Sequence, residues 1–267
     1  MNTSYWKAEL QLTFCQRNNK TILSNRRHQG PLLVQRPFYP EGGTCHVYLL
    51  HPPAGIVGGD QLTLKAELES GSHALITTPG ATKFYASQQQ SAVVKQYFNL
   101  ARNSILEFIP QDTIFFNGAY ARIENHFKLH TDSRLFAWET LCFGRTMAQE
   151  RFLQGEIFSR YQIEIERQDG LLEVLRIQGG DLQKLANCPL TSTVILYPAD
   201  ESMLRQAREV LANYLPLNGA TLIEQLLVIR LLGDDNEILQ QTLHLLWFTL
   251  RPQLTDSPAI APRIWAT

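Results

Sequence analysis

Up to about residue 190, the apolar residues of this chain recur at every second position in short runs. That period belongs to strands with one buried face. In Val93–Leu100, Val94, Phe98 and Leu100 fall on one side and Lys95 and Asn99 on the other. Gly118-Ala119 then leads into a second alternating run. There Ile123, Phe127 and Leu129 oppose Glu124, His126, Lys128 and His130. In Tyr161–Glu166, Ile163 and Ile165 face inward. Asp169-Gly170 follows as a hairpin-turn signal before the apolar run Leu171–Ile177. Strands this closely spaced, with polar turns between them, predict a mainly β protein built as a sandwich, a barrel or a solenoid-like stack.

The period changes after residue 190. Thr193–Tyr197 reads as a buried strand. Asp200 or Ser202 then caps a helix with Leu204, Ala207, Leu211 and Tyr214 on one face, stopped by Pro216 and Gly219. Thr221–Leu232 is apolar and rich in β-branched residues, and predicts one more strand. Asp234 or Asp235 caps a second helix, with Ile238, Leu239, Thr242, Leu243, Leu246 and Trp247 inward and Arg251-Pro252 as its end. No linker-like composition separates this part from the rest, so residues 1–267 are expected to form one domain.

Hydrophobic residues make up 44% of the 267 and charged residues 18%, enough to build a core and to exclude a disordered chain. The net charge of −1 gives no broad basic surface for nucleic acid. The opening MNTSYWKAELQLTF is unlike a signal peptide, and no apolar run approaches the roughly 18 residues of a membrane helix. Cys15, Cys45, Cys142 and Cys188 form no CxxC pair, so four reduced, mostly buried thiols are expected. These features together predict a cytoplasmic protein.

Motifs for catalysis are missing: no HExxH, GxSxG, Walker loop or GxGxxG. Gly58-Gly59-Asp60 and Gly179-Gly180-Asp181 lack the Lys-Ser or Lys-Thr of a phosphate loop. His126 and His130 have the spacing of a helical metal pair, but on a strand they stand about 13 Å apart and read as a solvated face. His28, in Arg26-Arg27-His28, reads as an exposed basic turn, and His51, before Pro52-Pro53, as a loop residue. The segment from Gly30 to Gly80 is dense in proline and glycine, as suits either a specific loop surface around Asp60 or tight turns between strands.

That segment carries a resemblance. Gly30-Pro31-Leu32, Val34–Gly42, His51–Asp60 and Thr77–Lys83 come in order, followed by Leu106–Asp112, Trp138-Glu139, Gly144-Arg145, Leu250-Arg251-Pro252 and Pro262–Trp265. This series, spanning nearly the whole chain, resembles the urease accessory protein family UreD, called UreH in some organisms. Two positions depart from it: Ala54 and Gln149 stand where the family more often has glycine. Ala54 is a mild change if the backbone angle there is ordinary.

The resemblance implies a β-helix-like stack of strands with two α-helices near the C-terminal end. It implies a non-enzymatic role in nickel delivery, with a UreF-like protein, a UreG-like GTPase and the urease apoprotein as partners. It implies transient nickel and no tightly bound cofactor. An unrelated β-solenoid hydrolase or carbohydrate-binding protein is the alternative. An ion that must be released suits carboxylate, water and carbonyl oxygen better than thiolate. Asp60, Glu139 and Glu150 lie in family-like blocks and are the candidates for a transient nickel path; His51, Cys142 and Asp112 are weaker ones. Glu139 sits in the apolar run Leu135–Phe143, and if that run is buried the carboxylate needs a partner, for which Arg145 is the obvious one.

Overall fold

A computed structural model describes residues 5–214 and 217–266. Sixteen strands precede the first long helix. They are β1 (Lys7–Arg17), β2 (Lys20–Gln29), β3 (Leu33–Val34), β4 (Cys45–Leu50), β5 (Gln61–Leu68), β6 (His73–Thr77), β7 (Thr82–Phe84) and β8 (Ala92–Leu100). Then come β9 (Ile105–Phe108), β10 (Thr113–Phe115), β11 (Ala119–Leu129), β12 (Arg134–Arg145), β13 (Glu150–Arg151), β14 (Gly155–Ile165), β15 (Gln168–Gln178) and β16 (Leu190–Tyr197). Helix α1 (Glu201–Leu211), the pair β17 (Leu217–Ile223) and β18 (Leu226–Gly233), and helix α2 (Asn236–Thr255) follow.

The chain coils between two sheets. One has the order β15-β14-β11-β8-β5-β1-β2, and the other follows β17-β18-β16-β12-β9-β6-β4-β3. Strands β1, β5, β8, β11 and β14 are parallel neighbours, as are β4, β6, β9 and β12. Each successive coil therefore adds one strand to each sheet, which is the solenoid-like stack. Antiparallel hairpins close the ends. The second sheet carries α1 and α2 on its outer face, so the layers run sheet, sheet, helices.

Parallel register aligns the inward side chains into rows along the coil axis. Leu62-Val94-Ile123-Ser159, Ala66-Phe98-Phe127-Ile163 and Leu68-Leu100-Leu129-Ile165 are mostly apolar rows across β5, β8, β11 and β14. Phe98 and Phe127 stack with ring centroids 4.6 Å apart. The row between the first two is different: it reads Leu64-Gln96-Asn125-Tyr161.

Both late helices form, each N-capped by a side chain. Asp200 accepts from the Met203 N–H, and Asp235 from the Glu237 and Ile238 N–H groups. Their buried faces follow the sequence reading except at Ile238, which is 43% exposed: it sits in the first turn beyond the sheet's cover. Several boundaries differ. Helix α1 ends at Leu211, Gly219 lies within β17, and Pro216 is outside the described residues. The run Thr221–Leu232 is a hairpin and not one strand, because Glu224 takes a left-handed turn conformation. The β14–β15 turn falls at Glu166-Arg167, with Arg167 left-handed. Asp169 and Gly170 belong to β15, beside a register shift between Ile163 and Ile165. Arg26, Arg27 and His28 are an exposed stretch of edge strand β2, not a turn. Ala54 has φ +64°, so its backbone is left-handed and the departure from glycine is not mild.

Helix α2 continues past Arg251-Pro252 to Thr255. Proline removes one backbone donor, yet the turn is held by a buried ionic network. Arg251 Nε donates to Glu107 at 2.9 Å, and Trp247 Nε1 donates to the same oxygen at 2.8 Å. Arg251 also donates to Glu41 and to the Pro258 carbonyl. His73 and His46 lie 2.7 Å from Glu107 and Glu41 respectively. Burial works against the ionised form of Glu107, but His73 and Arg251 outweigh it and hold the carboxyl at about 2.

Candidate functional site

The polar row has consequences for the space between the sheets. Three cavities adjoin along the coil axis. The first, about 320 Å³, is lined by Leu49, His51, Thr78, Thr82, Val94 and Gln96 among others. It reaches solvent at Pro52, Ala54, Pro79 and Gly80. The middle one is about 50 Å³ and shares Leu49, Thr78, Thr82, Val94 and Gln96 with the first, adding Asn125 and Glu139. The third, about 440 Å³, shares Glu139 and continues past Ser159 and Tyr161 to Glu173, Lys184 and Arg230. An ion pair between Glu173 of β15 and Arg230 of β18 joins the two sheets at that mouth. The middle chamber has room for a few water molecules at most.

Glu139 stands at the junction of the second and third cavities. It projects from β12 into the space between the sheets, where its side chain is part-buried and faces the cavities. Arg145 is not its partner. Six residues of extended strand set Arg145 roughly 20 Å further along β12, at its exposed end, where its Nε donates to Glu150 at 2.9 Å. Glu139 instead accepts from Asn125 Nδ2 at 2.8 Å and Ser159 Oγ at 3.0 Å, both on the opposite sheet. No cationic side chain among the described residues offsets it, so burial pushes its carboxyl up to about 7, against which the two hydrogen bonds pull only partly. The Tyr161 phenol is likewise raised well above its ordinary value by burial and the neighbouring Glu139, and stays protonated.

The other candidates lie elsewhere. Asp60 is buried and accepts from the backbone N–H groups of Trp6 at 2.9 Å and Val57 at 3.0 Å. It thus ties the proline–glycine loop to the start of β1, behind the first mouth. His51 lines that mouth; burial lowers its pKa, and its Nε2 has no hydrogen-bond partner. A neutral imidazole nitrogen is a metal-type donor. Glu150 belongs to a separate surface cleft, bonded to Arg145 and the Asn117 N–H. Asp112 ties β10 to α2 through Asn236 at 2.9 Å and Gln240. The Cys142 thiol is buried and pushed up to about 11 by that burial, so it is a neutral thiol. Asp60, Glu139 and Glu150 therefore do not converge on one point. Among the described residues, no group of three or more His, Cys, Asp or Glu side chains is placed to hold a metal.

Gln96, Asn125, Ser159 and Tyr161 escaped the sequence reading, although alternation carried the signal. In Val94-x-Gln96-x-Phe98-x-Leu100 and Ile123-x-Asn125-x-Phe127-x-Leu129, the polar residue occupies an inward position. The four cysteines are all free thiols, three of them buried. His126 and His130 sit on the solvated strand face, beside Glu164 and Glu166. No helix among the described residues is long and apolar enough to cross a membrane.

Fold and site together define a strand-coil protein with a series of adjoining cavities between its two sheets. Comparison with known sequences narrows this. The family described as UreD urease accessory protein matches residues 7–266. The chain is 54% identical to the urease accessory protein UreD of Pseudomonas putida (strain W619), covering 98% of this chain and 95% of that protein. It is 49% identical to the UreD of Citrobacter koseri over 99% and 93%, and 47% identical to that of Klebsiella aerogenes over 98% and 97%. The chain belongs to the UreD urease accessory protein family.

Proposed function

We propose that this protein acts in urease maturation as a non-catalytic cytoplasmic scaffold. With a UreF-type protein and a UreG-type GTPase it docks on the urease apoprotein, and nickel travels through its axial passage. Nickel is cargo here, held briefly and released. The observation that carries the reading is Glu139, a carboxylate with no counter-cation among the described residues, where the smallest of three adjoining cavities meets the third. Carboxylate, hydroxyl and amide oxygens bind a borderline cation weakly enough to let it go. His51 at the first mouth supplies an imidazole nitrogen for capture. Asp60 holds the loop that presents His51, and Glu150 on its separate cleft serves as a surface waypoint or a docking contact.

Co-expression with the urease structural proteins and the UreF- and UreG-type partners tests this. The expected result is a stable complex containing this chain, and urease with little nickel when the chain is omitted. Fully nickel-loaded urease in its absence, with no complex formed in its presence, would overturn the proposal.

A further inference from the structure

The polar row holds more oxygen than its hydrogen bonds use. Gln96 Oε1, Asn125 Oδ1 and the Tyr161 hydroxyl are all buried, and none has a hydrogen-bond partner. Asn125 and Tyr161 are 4% and 3% exposed, so bulk solvent does not reach them freely. Unpaired polar atoms at that depth are expensive, and native interiors keep few of them. These three occupy consecutive rungs: Gln96 on β8 is in register with Asn125 on β11, which is in register with Tyr161 on β14. All three line the passage, and Glu139 faces the row from the other sheet, bonded to Asn125 through the amide nitrogen and so leaving the amide oxygen free.

We propose that Gln96, Asn125 and Tyr161 complete, with Glu139, an all-oxygen waypoint for a single divalent cation. This rests on the passage reading above and names donors that it does not. One negative charge and three neutral oxygens suit an ion that keeps part of its water shell and moves on. A site of thiolates and imidazoles would trap it. The row runs along the direction of travel, so an ion exchanges Gln96 for Tyr161 as it advances while Asn125 and Glu139 stay within reach. Ser159 Oγ, which already donates to Glu139, positions the carboxylate and is not a ligand.

Tyr161→Phe is the decisive variant. It removes one oxygen and keeps the ring that stacks 5.2 Å from Phe127, so the fold is retained. Asn125→Leu and Gln96→Leu are its companions, with circular dichroism and thermal unfolding as fold controls. Nickel(II) is titrated into the purified protein by calorimetry, and nickel per urease active site is measured in the co-expression system. The expected result is one nickel site per chain that Tyr161→Phe and Asn125→Leu each weaken by roughly tenfold, with an unfolding temperature no lower in Tyr161→Phe. Unchanged binding in both variants overturns the waypoint, even where Glu139→Gln still blocks urease activation and so leaves the passage reading intact. Weakened binding with normal urease activation keeps the waypoint and removes the passage reading instead.

Discussion

Replacing Glu139 with glutamine should make the protein more stable, and by an amount that grows with pH. In the folded chain burial holds this carboxyl at about 7, against an ordinary value of 4.5. Between those two values the folded state binds more protons than the unfolded one, so stability falls as pH rises. The penalty is absent below the unfolded value and complete above the folded one. At 1.36 kcal/mol per unit, it amounts to about 1 kcal/mol at pH 5 and about 3 kcal/mol at pH 8. Glutamine is nearly isosteric and carries no charge to desolvate. Its carbonyl can still accept from Ser159, and its amide can donate to Asn125 once that side chain turns. Urea unfolding of wild type and Glu139→Gln at pH 5 and pH 8, with matched slopes, reads the difference directly. A gain of roughly 2 kcal/mol more at pH 8 than at pH 5 is expected. The same difference at both pH values, or a variant less stable at pH 8, would refute the claim that Glu139 is an uncompensated buried acid.

The α2 network behaves in the opposite sense. Glu107 is depressed in the folded state, so its contribution is complete above pH 4.5 and is lost as pH falls toward 2, seen as a steep acid limb in unfolding free energy. Arg251→Ala leaves Glu107 and Glu41 buried without their cation, and should destabilise by about 3–5 kcal/mol in denaturant titrations. Ala54→Gly and Gln149→Gly relieve left-handed backbone at two exposed positions and should each stabilise by about 0.5–1 kcal/mol, read as raised urea midpoints.

Much of this architecture was legible because parallel and antiparallel strands alike impose a period of two. The alternation in Ile123–Leu129 and Tyr161–Glu166 fixed which residues face inward, and Asp200 and Asp235 announced both helices. What failed depended on tertiary context. Pro252 reads as a helix end, and only the contacts of Arg251 with Glu107, distant in sequence, carry α2 past it. Arg145 is close to Glu139 along the chain, but six residues of extended strand carry it roughly 20 Å away. The passage itself is a product of register. Gln96, Asn125 and Tyr161 are scattered in sequence and become one row only when β8, β11 and β14 stack.

The central claim is that nickel passes between the two sheets on its way to urease. Ser159→Leu tests it most directly, since Ser159 lines the third cavity beside Glu139 and the larger apolar side chain narrows the way without touching the outer surface. The measurement is nickel per active site in urease matured with this variant, alongside co-purification of the partner complex. The account predicts an intact complex and urease depleted of nickel at least several-fold. An intact complex delivering fully loaded urease would contradict it.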